Sequence, residues 1–167
     1  MTHWGQLNSA SPLQLAMSNP PPGPIVLWLS SRYENLELAQ AVLEHVCKAR
    51  GVGTDAEHWM GVALREALAN AIKHGNRQDP AKRVYLSLAG GAETIEIVVG
   101  DEGQGFEATA VADPLAPENQ MKTSGRGIFY MKTFMDEVTF SRGENGGTIL
   151  SMKKRLDSDM KKGVHAP

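Results

Sequence analysis

The sequence predicts an α+β two-layer sandwich, with a mixed, mostly antiparallel sheet and three helices on one face. Two pairs of apolar runs are separated by glycine-containing turns, as in hairpins, and three longer segments carry apolar residues at helical spacing. The resulting order is strand, helix, helix, strand, strand, loop, helix, strand, strand. At 167 residues and 41% hydrophobic content the chain reads as one domain able to bury a sizeable core.

Ile25 to Leu29 is a short continuous apolar run between Pro24 and Ser30, and predicts a buried strand. Ser31 with Glu34 fits a capping box for a first helix, whose stripe of Leu36, Ala39, Val42, Leu43 and Val46 runs to a stop at Gly51. Thr54 with Glu57 repeats that pattern ahead of a second helix. Its stripe, Trp59, Ala63, Leu64, Ala67, Leu68, Ala71 and Ile72, ends at Gly75. Asp79-Pro80 marks a turn, after which Val84, Leu86 and Leu88 alternate with polar residues. Gly90-Gly91 turns the chain back into Ile95, Ile97 and Val99. The long non-periodic stretch to Ser124 suggests a functional lid. Gly125-Arg126-Gly127 opens a third helix with Ile128, Met131, Phe134 and Met135 as its stripe. Val138 to Phe140 and Thr148 to Met152 close a second hairpin. Residues 1–24, which hold five of the nine prolines, read as a flexible leader, 25–154 as the folded domain and 155–167 as a frayed tail.

A net charge of -2 offers no nucleic-acid surface. The single cysteine, Cys47, rules out an internal disulfide framework, fits a reducing compartment and reads as a small buried hydrophobe. The histidines lack metal-ligand spacing, and no run approaches the roughly 20 apolar residues of a membrane span, so a cytoplasmic protein is expected.

The most informative stretch is Arg65 to Asn76. On a helix, Glu66, Asn70 and Lys73 to His74 share one face, opposite Leu64, Ala67, Leu68 and Ile72. A carboxylate one turn from a carboxamide suits a proton acceptor beside a ligand for Mg²⁺, which prefers hard oxygen donors. Gly125 and Gly127 at a helix start suit a phosphate, since the first amides of a helix lack partners and glycine permits close approach. No third glycine completes a dinucleotide fingerprint, and no Gly-x-x-x-x-Gly-Lys-Ser/Thr loop is present, so Rossmann and P-loop sites are disfavoured.

Glu66-x-x-x-Asn70 with His74-Gly75, then Asp101-x-Gly103-x-Gly105, Gly125-x-Gly127 and Gly147-Thr148 resemble, in order and spacing, the motifs of the GHKL (Bergerat-type) ATP-binding superfamily. The run Ser124 to Val138 is most similar to its anti-sigma-factor serine kinase branch. The resemblance implies the histidine kinase-like ATPase fold, with ATP and Mg²⁺ as ligands. It further implies that Asp101 accepts a hydrogen bond from the adenine amino group, assisted by Thr148, and that Gly103 and Gly105 admit the base. Asn70 would place its oxygen on Mg²⁺. Gly125 to Gly127 would present amides to the phosphates, with Arg126, Lys122 and, more weakly, Lys73 as charge partners. Glu66 would orient the acceptor and take its proton.

By the same resemblance the protein would be an ATP-dependent protein-serine kinase. Its partners would be a sigma factor or other regulatory protein and a STAS-domain anti-anti-sigma protein, and it would form a homodimer. Trp28 or Phe140 could serve that dimer, with core packing the expected use of both. The alternative of another class is a non-catalytic module in which ATP tunes partner affinity.

Overall fold

Strand-forming residues at period two build one five-stranded sheet in the order β1-β2-β3-β5-β4. The structure, a computed structural model, describes residues 23–105, 125–144 and 146–157. The strands are β1 (Ile25–Ser30), β2 (Arg83–Gly90), β3 (Thr94–Asp101), β4 (Glu137–Arg142) and β5 (Thr148–Arg155). The helices are α1 (Asn35–Ala49), α2 (Thr54–Asn70) and α3 (Gly125–Phe134), and a π-helical turn, Ala71–Gly75, prolongs α2. The predicted α+β class and element order are those observed. Every strand pair is antiparallel, so the expected parallel component is missing among the described residues. The reason lies between β1 and β2. Helices α1 and α2 return the chain to the end where β1 stopped, and Arg83 starts β2 opposite Ser30.

The register sorts the side chains by face. Leu27, Leu86, Val99 and Leu150 stand in one cross-strand row, and Leu88, Ile97 and Met152 in the next. These rows join the buried stripes Leu36, Leu43 and Val46 of α1, Met60, Leu64 and Leu68 of α2 and Met131 of α3 in one core. Full burial of each such side chain contributes about 1.5–3 kcal/mol relative to exposure. The opposite face carries the row Trp28, Tyr85, Gly100 and Ile149. Trp28 is 57% exposed, meets Tyr85 edge to face at 5.1 Å, and lies under the Arg83 guanidinium at 4.9 Å.

Several expectations change. Core packing does not hold for Trp28 or Phe140, because the alternation puts Trp28 on the face that no helix among the described residues covers and Phe140 on the edge strand β4, where it is exposed. Trp59, expected in the buried stripe of α2, is 41% exposed and instead stacks on Phe134 of α3 at 3.9 Å. Neither capping box forms. Helix α1 begins at Asn35 after Glu34, and α2 begins at Thr54 after Gly53, with no side-chain cap in either case. Ser31 is drawn away into the interior, where its hydroxyl donates to the Lys82 carbonyl at 3.1 Å. The tail also starts later than expected. Arg155 still pairs with Thr94, and Leu156 is buried with its N–H on the Glu93 carbonyl. Residues 1–22 of the leader, the lid stretch 106–124 and residues 158–167 lie outside the described residues. Among the described residues no helix is long and apolar enough to cross a membrane.

Cys47 sits on the buried face of α1 as expected, and burial, reinforced by the nearby charges of Glu57 and Glu44, pushes its thiol up to about 12. An exposed thiol ionises near 8.5, and only the thiolate reacts readily. We therefore expect a disulfide reagent at pH 8 to label Cys47 at least about tenfold more slowly in the native protein than in denaturant. Because the folded thiol ionises later than the unfolded one, the folded state is progressively disfavoured as pH rises from about 9 toward 12. Equal labelling rates in both states would show that the thiol is not buried.

Candidate functional site

The polar face predicted on α2 meets the glycines that open α3. Glu66 and Asn70 are both half-buried, and a Cβ added to Gly127 would stand 2.5 Å from Glu66 Oε2 and 3.6 Å from Asn70 Nδ2. Any side chain at Gly127 would therefore displace the carboxylate. Rotation of the Asn70 amide by half a turn exchanges its nitrogen for its oxygen, so the same position can offer a hard donor. The first amides of α3, a helix of 10 residues, have no partner within the helix and favour negative charge. Gly125, Gly127, Glu66 and Asn70 thus come together at one helix start. Lys73 is exposed in the π-helical turn, and among the described residues no hydrogen bond or ion pair ties it to this cluster. Lys122 and the side chain of Arg126 lie outside the described residues.

A second cluster forms around Asp101 at the end of β3. Its Oδ1 accepts the N–H of Gly103 at 2.8 Å and the N–H of Thr148 at 3.2 Å, which occupies both lone pairs of that oxygen. Its other oxygen, Oδ2, takes no hydrogen bond from the described residues and faces the Cα of Gly75 so closely that a Cβ there would collide with it. One oxygen is fastened by the main chain and the other is left for a donor. Gly103 packs on the Gly75 carbonyl, and Gly147 packs on the Asp101 carbonyl, each closer than a Cβ would allow. Gly105 adopts φ +79° against the Gly146 carbonyl, a left-handed backbone that favours glycine. The predicted residues Asp101, Gly103, Gly105 and Thr148 therefore converge.

Both clusters hang on one segment. Glu66 and Asn70 lie at one end of it and Gly75 at the other, separated by the π-helical turn in which the Asn76 N–H reaches the Ala71 carbonyl at 2.7 Å. Such wide turns are frequent at functional sites, and here the extra residue carries Gly75 onto Asp101.

Sequence reasoning missed three contributors. Gly75 reads as a helix stop and as part of the His74-Gly75 motif, but its place as the wall against Asp101 carries no sequence signal. Asn76 was read only as the end of the helical stretch, yet it is fully buried and hydrogen-bonded at both ends of its amide. Arg142 donates to the Gln104 carbonyl at 3.3 Å and so braces the Gly103 to Gly105 turn. The Glu102 carboxylate accepts the Arg83 N–H at 2.7 Å and its guanidinium at 2.9 Å, and chiefly the backbone bond holds its carboxyl below the usual range. Long-range contacts of this kind have no local pattern; the only signal was the density of glycine around two acidic residues.

A helical carboxylate and carboxamide at a glycine-opened helix thus stand, with an anchored aspartate at a strand end, on one α+β domain. The chain belongs to the histidine kinase-like ATPase domain family, whose model matches residues 29–154. It is 31% identical over 130 residues to the anti-sigma F factor of Geobacillus stearothermophilus, covering 77% of this chain and 89% of that relative. It is 26% identical over 132 residues to the serine-protein kinase RsbW of Bacillus subtilis (strain 168), covering 75% and 81%. Against the anti-sigma F factor of Anoxybacillus flavithermus (strain DSM 21510 / WK1) the identity is 37% over 95 residues, and the chain spans 65% of that relative's length. The crystal structure of the RsbU and RsbW domains of Rv1364c from Mycobacterium tuberculosis shares the fold, with a TM-score of 0.56 at 20% identity, over 81% of this chain and 33% of that one.

The tight seat of Asp101 makes a direct prediction. Gly75→Ala should cost about 1–3 kcal/mol in chemical denaturation, because the new methyl must push the carboxylate or the backbone aside. Wild-type stability would contradict this close approach.

Proposed function

We propose that the protein is an ATP-dependent protein-serine kinase and anti-sigma-type regulator that phosphorylates a STAS-domain antagonist in a cytoplasmic partner-switching circuit. The observation that carries the reading is the seat of Glu66, whose carboxylate lies against Gly127 at the start of α3, where a terminal phosphate would rest. Membership of the ATPase family and relatives named serine-protein kinase and anti-sigma F factor support the nucleotide and the regulatory role.

Phosphoryl transfer needs positioning and charge neutralisation more than covalent chemistry by the protein. Asp101 Oδ2 would accept a hydrogen bond from the adenine amino group, a donor that guanine lacks at that position. Gly103 and Gly105, without side chains, would admit the base. The amides of Gly125 to Gly127 would hold phosphate oxygens, with Arg126, Lys122 and Lys73 as charge partners. Asn70, set beside the glycine cradle, has a donor oxygen that would hold Mg²⁺, which when bound would supply charge neutralisation to the phosphates. Glu66 would orient the acceptor serine and take its hydroxyl proton as the seryl oxygen bonds to the γ-phosphorus. The bond to the bridging oxygen breaks, and ADP leaves with that electron pair.

The sheet face left uncovered by the helices among the described residues, with exposed Trp28 and Val26, is the surface that a second copy would cover in a homodimer.

The test is phosphate transfer from γ-labelled ATP to a STAS-domain protein. Glu66→Gln should lower transfer about 10²-fold or more while keeping nucleotide binding, and Asn70→Ala should lose Mg-ATP affinity in calorimetry. Transfer that is unaffected by Glu66→Gln would remove the catalytic role. Nucleotide binding without any transfer by the wild type would favour the non-catalytic module.

A further inference from the structure

We propose that Asn76 is the positioning residue that orients the Asp101 carboxyl group, and thereby sets selectivity for the base; this rests on the reading of the site as an ATP site. Asn76 is 0% exposed, and its amide joins three separate segments. Nδ2 donates to Ser31 Oγ at 2.6 Å and to the Arg83 carbonyl at 2.8 Å, while Oδ1 accepts the Glu102 N–H at 2.8 Å. A carbonyl can only accept and an N–H can only donate, so these partners fix which end of the amide is which. The residue is thus committed at the ends of β1, β2 and β3 together.

The Glu102 N–H belongs to the peptide that joins Asp101 to Glu102. On the other side of that peptide the Asp101 carbonyl lies against the Cα of Gly147. The peptide plane is therefore held from both sides, by an amide oxygen and by a glycine. With the plane held, the Gly103 and Thr148 amides meet Oδ1, and Oδ2 stands against the Cα of Gly75 with no hydrogen bond from the described residues, free to meet a base. If the plane rotated, the carboxylate would lose its aim while remaining present.

The backbone beyond Asn76 is strained in a way that fits this role. Arg77 and Gln78 have φ of 56° and 60°, two consecutive left-handed residues that are not glycine. The Gln78 N–H returns to the Ile72 carbonyl at 2.8 Å and closes the segment over the π-helical turn. Strain of this kind persists only where the surroundings over-determine it, and it concentrates at functional sites. Here the fold holds an unfavourable backbone immediately after Asn76, whose side chain reaches all three partners.

The experiment compares Asn76→Ala, Asn76→Asp and Ser31→Ala by ATP and GTP titration, together with the amide NMR signals of Gly103 and Thr148 in nucleotide-free protein. Ser31→Ala removes one partner of Asn76 but leaves its bond to Glu102, so it should reduce stability and keep wild-type ATP-over-GTP preference. Asn76→Ala should lower that preference about tenfold, the worth of one well-placed hydrogen bond, and should shift the Gly103 and Thr148 amides. Asn76→Asp keeps the acceptor oxygen and should restore the preference, and it carries the test alone if Asn76→Ala does not fold. A folded Asn76→Ala protein with wild-type preference and unshifted amides would overturn the proposal, as would a folded Asn76→Asp protein that has lost the preference. If the wild type binds neither nucleotide, the ATP reading fails. The amide signals then still decide whether Asn76 orients Asp101.

Discussion

The close approach of main chain to Asp101 is the constraint on which the rest of the site depends. Gly75 arrives from the end of α2, Gly103 from the turn after β3 and Gly147 from the turn before β5, each nearer to the aspartate or its backbone than a Cβ could come. Three segments far apart in sequence can share that space only because none of them carries a side chain. Their convergence uses one carboxylate oxygen to tie the sheet ends together through the Gly103 and Thr148 amides, and leaves the other without a hydrogen bond from the described residues. In the proposed ATP site, structure and binding would thereby be divided between two atoms of one residue.

The same economy appears at the other end of the α2 segment. Gly127 is bare so that Glu66 can lie against the start of α3, and the aromatic pair Trp59 and Phe134 locks the two helices together farther along. A stacked pair of this kind adds about 0.5–1.5 kcal/mol beyond its buried area, which helps to hold a carboxylate within reach of a helix terminus. Precise distance there matters to the proposed role of Glu66, because a misplaced proton acceptor loses most of its effect. The antiparallel sheet is the platform: β3 and β5 end side by side, so Asp101 and Thr148 are neighbours by register rather than by sequence.

Much of this was legible in the chain. Period-two alternation located β2 and β3, and helical stripes located α1 and α2, because burial on one face leaves a local pattern. The Glu66 and Asn70 face was legible for the same reason. What escaped was non-local. Ser31 looks like a helix cap by its spacing to Glu34, but burial beside Asn76 and Lys82 outweighs a cap that solvent can replace. Trp59 fits the apolar stripe of α2, yet a partner on α3 draws it outward. Gly75 looks like an ordinary helix stop, and only the folded chain brings Asp101 against it. Trp28 sits in an apolar run that reads as buried on both faces, whereas among the described residues only one face of β1 is covered.

The most direct test of the account is calorimetric titration of ATP and GTP into the wild type and Asp101→Asn, with Mg²⁺ present. The account predicts clear preference for ATP in the wild type and a markedly reduced preference in Asp101→Asn, since the variant keeps an acceptor but loses its charge and can turn a donor toward the base. An ATP-to-GTP preference unchanged by Asp101→Asn would contradict it, and would place base recognition elsewhere in the molecule.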